Sequence, residues 1–308
     1  MDISIGSVCS GIEACSVALN NLGFSVKWLS EIGKFQSLIL KNWYPNIPNL
    51  GDMKKIPEKI LSDQIPFTDI ICGGTPCQAF SSAGSQQGLH DSRGNLTLKF
   101  IDIIEANDKK RKEHGLDRCI VLWENVEGVL SDKTNAFGCF ISSLAGIDQT
   151  LSLKRWPMYG IIRGSKRNIA WRILNANYFG IPQQRRRLYV ISTDRNLYPE
   201  TILFEAKSSF KKYGEYSDLK FIKDNHTYEV FREYTDCLYS SYGTKWNGNA
   251  GAMNGSLFIV QDGRIRRYSP LECERLMGFP DNYTNIKDAK KTNRYQAIGN
   301  SWAIPVIK

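Results

Sequence analysis

Short apolar runs alternate with stretches of helical spacing along the first half of the chain. Ile3 to Cys9 reads as a strand, and Ile12 to Leu22 as a helix closed by Gly23. Val26 to Ser30 reads as a second strand, followed by Glu31, and Phe35 to Trp43 as a helix stopped before Pro45. Asp69 to Cys72 is expected as a strand and Leu96 to Ala106 as a helix. Ile120 to Trp123 then reads as a strand, Ala170 to Ala176 as a helix and Arg187 to Ser192 as a strand. Such alternation predicts an α/β fold built on a mostly parallel sheet with crossover helices. Near Asp194 the pattern stops, and residues 195–262 mix aromatics, Lys, Gly and Asn without a sustained period. Helical order returns at Pro270 to Met277, with Ser269 in the capping position and Pro270 at the first turn. The expected organisation is a main domain over 1–194, a smaller inserted domain over 195–262, and a return to the main domain over 263–308.

Composition changes this picture little. The 308 residues suit one large domain or two modest ones. No apolar run is long enough to span a bilayer, and the start lacks a signal-peptide pattern, so an intracellular, cytoplasmic place is expected. Eight cysteines without a Cys-x-x-Cys pair, and only His90, His114 and His226, argue against a zinc site or a disulfide framework. No metal is expected. Charge is more informative. Residues 151–194 carry 9 Lys/Arg against 1 Asp/Glu, and residues 263–308 carry 9 against 4. Two basic zones flanking a near-neutral segment suit a polyanionic partner.

Open parallel sheets bind ligands beyond the carboxyl ends of their strands. The unusual residues of this chain fall there: Ser10-Gly11, Glu31, Pro76-Cys77 and Glu124-Asn125. Gly73, Gly74 and Pro76 make a rigid turn that presents Cys77 outside the sheet. The first loop lacks Gly-x-Gly-x-x-Gly, so a dinucleotide is a poor fit. Its glycines still let the backbone approach a nucleoside, with Glu31 placed for ribose hydroxyls.

Pro76-Cys77-Gln78, Glu124-Asn125-Val126, Gln183-x-Arg185-x-Arg187 and Gly299-Asn300-Ser301 stand in the order of the DNA (cytosine-5) methyltransferase family, which the chain resembles over nearly its full length. Arg267 to Pro280 resembles the segment that follows the family's target recognition domain. The resemblance implies a Rossmann-like S-adenosylmethionine-dependent sheet with residues 195–262 as the recognition domain. It implies Cys77 as nucleophile, Glu124 at N3 of the cytosine, Asn125 shaping the pocket, and Arg185 and Arg187 near the base O2 and phosphate. For the cofactor it implies backbone contacts from Cys9, Ser10, Gly11 and Ile12 and ribose contact from Glu31. Asp52 and Met53 would meet the adenine, and Pro76, Asn300 and Ser301 would close the site, with Ile32 beside Glu31. Duplex DNA with a flipped-out cytosine is the implied partner. Gln78, Ser81, Ser85 and Arg93 belong to a loop that would close on it. Tyr242, Lys245 and Trp246 are candidates for DNA contact or, equally, for the small domain's own core. A monomer is expected, in a setting such as restriction-modification.

Three departures stand out. Ser7, Ser10-Gly11 and Glu13-Ala14 replace the family's usual first motif, and Ile32 replaces an aromatic residue. Family members also continue into a full helix beyond the position of Lys308; either this copy is truncated or a short end suffices. The family's tRNA-modifying branch and a catalytically weak DNA-holding protein are the alternative readings.

Overall fold

In a computed structural model of the protein, the described residues are 2–75, 96–204, 217–223, 226–231, 234–244, 257, 259–262 and 264–308. Pro76, Cys77, Gln78, Ser81, Ser85, Arg93, Lys245 and Trp246 lie outside them.

Seven strands form the central sheet: β1 (Ile3–Val8), β2 (Phe24–Ser30), β3 (Ile70–Gly73), β4 (Ile120–Val126), β5 (Tyr159–Arg163), β6 (Arg167–Asn175) and β7 (Arg186–Asp194). Their order is β2-β1-β3-β4-β7-β6-β5. The β2-β1-β3-β4 half is parallel, as expected from the alternating pattern, but β4-β7, β7-β6 and β6-β5 pair antiparallel. The helix read at Ala170 to Ala176 is therefore corrected: this segment is largely the inner strand β6, hydrogen-bonded on both edges. Its run of buried residues, Ile169, Ala170 and Trp171, is what a strand covered on both faces looks like. Periodicity alone does not separate such a run from a short helix.

Helix α1 (Ala14–Leu19) is shorter than its apolar spacing suggested. Gly23, at φ +80°, feeds β2 instead of closing that helix. Helices α2 (Lys34–Trp43), α3 (Ile56–Leu61), α4 (Leu96–Glu113) and α5 (Ala136–Ala145) follow. The largest core lies among α3, α4, α5 and the sheet, centred on Trp28, Phe100, Trp123, Phe137 and Phe140. Gly6 makes room for Trp28, because a Cβ there would lie 2.1 Å from the indole Cζ2. Asn107 and Arg111 of α4 bond the backbone of Thr68, fixing the entry to β3.

Beyond β7 come α6 (Glu200–Leu203) and two hairpins outside the main sheet, β8 (Ser217–Lys223) with β9 (His226–Phe231) and β10 (Ile259–Gln261) with β11 (Arg264–Arg266). Helix α7 (Pro270–Met277) starts as its sequence predicts. Ser269 and Glu272 form a reciprocal capping box, and Gly278 at φ +80° ends the helix. Helices α8 (Lys291–Asn300) and α9 (Ile304–Ile307) follow. A second core joins α7 and α8 to Ile12, Ala18 and Ile39 of the first part and also takes in Leu238, Tyr242 and Leu257. The packing of residues 234–244 thus goes with the C-terminal helices. The Tyr283 hydroxyl donates to Ile12 O at 2.8 Å, and Trp43 stacks on Tyr283, so the end of the chain is locked beside the loop after β1.

Candidate active site

The loop after β1 is tightly wound. Cys9, Gly11 and Glu13 all take positive φ, and Gly11 has no neighbour within 4 Å of where a Cβ would stand. Left-handed backbone at non-glycine residues is strained and has to be held by its surroundings. Ser10 supplies part of that hold: its N–H donates to Ser30 O at 3.0 Å, and its hydroxyl accepts from Ser30 N at 3.0 Å. Glu13 supplies the rest. Its buried carboxylate accepts from the Ser7 hydroxyl and from Ser16 N and Oγ, and burial raises its pKa. The departures from the family's first motif, Ser7 and Glu13, thus form one self-contained bracket.

Glu31 reaches across from β2. Its carboxylate accepts from Gly11 N at 2.8 Å and Gly33 N at 2.6 Å. Each oxygen keeps a second lone pair for a ligand hydroxyl. Ile32 beside it is 77% exposed. Asp52 is exposed and caps the 3-10 turn Met53–Lys55 through Lys54 N. Met53 is buried, with its sulfur 3.8 Å from Cys9 Sγ. Burial, followed by the charges of Glu31 and Asp52, pushes the Cys9 thiol up to about 12. These residues, read far apart in the chain, therefore share one neighbourhood. A small cavity of about 30 Å³ opens beside them, walled by Ser10, Gly11, Asn300, Ser301 and Trp302. Ile12 has a buried side chain, and its carbonyl accepts from the Tyr283 hydroxyl.

Thr75 is anchored from below. Thr75, the last described residue before Pro76, bonds through its hydroxyl with Trp123 Nε1 and Thr97, each at 3.0 Å. Asn125 Nδ2 donates to Thr75 O at 2.9 Å. Asn125 therefore holds the Thr75 backbone, a partner that the sequence did not disclose. Glu124, within β4 and not after it, is 7% exposed. Its Oε1 lies 3.3 Å from Arg187 Nε, yet the geometry is not that of a hydrogen bond. The contact is Coulombic. Burial raises the Glu124 pKa, against the pull of Arg185, Arg187 and a hydrogen bond from the Trp302 side chain.

The two arginines differ. Arg185 is 3% exposed, and its terminal nitrogens donate to Leu238 O (3.0 Å), Gly299 O (3.2 Å) and Ser301 O (2.7 Å). The expectation that it meets the base O2 or a phosphate is corrected, because those donors are spent on the protein. Only its buried Nε lacks a partner. Arg187 remains beside Glu124 and reaches Cys237 Sγ at 3.6 Å. Gln183 is a second clamp, donating to Leu276 O at 2.7 Å and accepting from Leu238 N at 3.0 Å. Tyr242 is corrected as a DNA contact. It is 1% exposed, donates to Leu257 O at 2.7 Å and accepts from Tyr268 N at 2.8 Å, so both roles of its hydroxyl are filled within the core. Among the described residues one group of possible metal ligands gathers, Glu13, Cys15 and Cys72. Its carboxylate is already committed to Ser7 and Ser16.

The half-parallel sheet, with a glycine-bearing loop after β1, a carboxylate after β2 and a buried glutamate on β4, is shared with the Rossmann-like methyltransferase class. The sequence model for C-5 cytosine-specific DNA methylase matches residues 3–258 and 247–308, and the chain belongs to that family. A relative from Escherichia phage P1, called a DNA N-6-adenine-methyltransferase, is 32% identical, with all of this chain and 60% of the relative aligned. The chain thus spans less than two thirds of that relative. Type II methyltransferase M.HhaI of Haemophilus parahaemolyticus is 26% identical over 97% of this chain and 90% of its own length. Among solved structures, the S. pombe Dnmt2 methyltransferase shares the fold at TM-score 0.67 and 16% identity, covering 99% of this chain and 96% of its own.

Proposed function

We propose that this chain transfers a methyl group from S-adenosylmethionine to C5 of a cytosine flipped out of duplex DNA. The observation that carries the reading is the Glu124 carboxyl: buried, raised in pKa, facing Arg187 and placed on the strand that anchors the catalytic turn. A carboxyl whose protonated form is favoured by burial can donate to N3 of the ring while a nucleophile adds at C6. Cys77, two residues beyond the anchored Thr75, is that nucleophile. Thiolate addition at C6 turns C5 into an enamine-like carbon that can accept a methyl group; once C5 carries the methyl, transfer of its proton to a base and breaking of the C6–S bond restore the aromatic ring and free Cys77. Arg187 stabilises charge on the base, while Arg185, Gln183 and Asn125 fix the frame.

When bound, the cofactor supplies an electrophilic methyl on a sulfonium. The donor set fits it. Glu31 has lone pairs for ribose hydroxyls, Asp52 is exposed, Met53 packs beneath, and Gly11 leaves open space for close backbone approach. Cys9, Ser10, Ile32, Pro76, Asn300 and Ser301 complete the proposed wall. Gln78, Ser81, Ser85, Arg93, Lys245 and Trp246 remain the proposed DNA contacts, and residues 195–262 the proposed recognition domain. Among the described residues no helix is long and apolar enough to cross a membrane. A cytoplasmic monomer acting in DNA modification completes the reading.

The phage P1 relative's name favours a second reading, transfer to the exocyclic amine of adenine. That chemistry needs no attack at ring carbon, and it leaves the Glu124–Arg187 arrangement without a task. The test is incubation with labelled S-adenosylmethionine and mixed-sequence duplex DNA, beside tRNA and a Cys77→Ser control, followed by nucleoside analysis. Label in 5-methylcytosine from DNA, lost in the control, supports the proposal. Label in N6-methyladenine, or in tRNA alone, overturns it.

A further inference from the structure

We propose that Trp302 is a positioning residue for Glu124, tying that carboxyl to the wall of the cavity beside Ser10 and Gly11. The inference rests on the function proposed above but uses a residue that no motif singled out. Trp302 directly follows Asn300-Ser301. Its indole N–H, the side chain's only donor, stands beside the Glu124 carboxylate and favours the ionised form of that group. Gly74 shows how closely the groups meet. A Cβ there would lie 3.0 Å from Trp302 Nε1 and 3.5 Å from Glu124 Oε2. Glycine at 74 therefore keeps the space between indole and carboxylate open. The other oxygen, Oε1, has no hydrogen bond, which leaves the indole as the donor placed to orient the carboxyl. The same ring walls the cavity with Ser10, Gly11, Asn300 and Ser301. Its backbone is steadied by Arg185, which bonds Ser301 O at 2.7 Å. One side chain thus touches both the acid and the cofactor compartment.

An N–H donated to a carboxylate favours the ionised form. Removing it should raise the pH at which Glu124 loses its proton. The informative variant is Trp302→Phe, which keeps an aromatic ring and deletes the donor. The alkaline limb of the kcat profile for DNA methylation is expected to move up by about one pH unit, the equivalent of one modest hydrogen bond. At neutral pH kcat is expected to fall about tenfold, because the carboxyl loses its fixed orientation. S-adenosylmethionine affinity without DNA should stay within about twofold, since the ring wall remains. Unchanged pH limbs with weakened cofactor binding would show a wall and nothing more, and would overturn the inference. If Trp302→Phe fails to fold, the wild-type indole ¹⁵N–¹H resonances decide. One of them should titrate with pH and cease to do so in Glu124→Gln; no titrating indole overturns the inference. Failure of the functional reading looks different: wild-type protein would then put no methyl on cytosine C5 at any pH.

Discussion

Replacing Arg185 by Met separates the frame of the site from its chemistry. The guanidinium donates to three carbonyls on two segments, Leu238 O at 3.0 Å, Gly299 O at 3.2 Å and Ser301 O at 2.7 Å. A hydrogen bond from a charged donor contributes roughly 1.5–3 kcal/mol, and each orphaned buried carbonyl costs about 1–3 kcal/mol. Against these stands the desolvation of the guanidinium, several kcal/mol, which Met relieves. Met also fills the space of the stem, so no large cavity term is added. The net expectation is a loss of about 3–5 kcal/mol, in line with breaking other buried charged contacts. Urea unfolding followed by tryptophan fluorescence measures it, with an unchanged m-value confirming the same transition. The thermal midpoint should fall by roughly 6 °C or more. Arg187→Met is the control. Its side chain is 17% exposed, and its contact with Glu124 lacks hydrogen-bond geometry. It should cost about 1 kcal/mol of stability yet reduce methyl transfer about a hundredfold or more. Arg185→Met within about 0.5 kcal/mol of wild type would refute the clamp, since that is the scatter of ordinary surface substitutions.

Three further outcomes follow from the geometry. Gly6→Ala places a Cβ 2.1 Å from Trp28, a fully buried ring, and should destabilise by about 1–3 kcal/mol in the same urea assay. The Arg266 guanidinium holds the Glu272 carboxyl down near about 2, so its stabilising effect is complete above the ordinary value of 4.5 and is lost as pH falls through the acid range. Glu272→Gln should flatten that acid slope and cost less than about 1 kcal/mol at neutral pH, because both partners are partly exposed. Burial gives Glu124 the opposite sign: the folded state keeps a proton that the unfolded chain releases from its ordinary value of 4.5 upward. Stability therefore falls with rising pH over that window. Glu124→Gln should remove this slope in urea titrations while lowering methyl transfer by about 10²–10⁴-fold.

Much of the sheet was legible because buried parallel strands read as apolar runs ending in turn formers. β1, β2, β3 and β4 begin and end within a few residues of their expected limits. β6 was not legible, since Ile169-Ala170-Trp171 has no period that excludes a helix. The nearness of Cys9 and Glu31 followed from strand order, since each stands at a strand end, whereas Asp52 and Met53 entered only through the family resemblance. The roles of Arg185 and Tyr242 did not follow, because a motif fixes where a side chain sits and not which carbonyls consume its donors. Trp302 carried one signal, its adjacency to Asn300-Ser301, and its approach to Glu124 depends on the absent Cβ of Gly74.

The central claim is covalent attack on cytosine by Cys77, and trapping tests it most directly. The protein is incubated with S-adenosylmethionine and duplex DNA carrying 5-fluorocytosine throughout one strand, where fluorine blocks the final elimination. The account predicts a denaturation-resistant protein–DNA adduct whose mass includes one added methyl group, with peptide mapping to Cys77, and none with Cys77→Ser. A protein that methylates ordinary duplex DNA but forms no adduct on the fluorinated strand, or forms one equally well with Cys77→Ser, would contradict it.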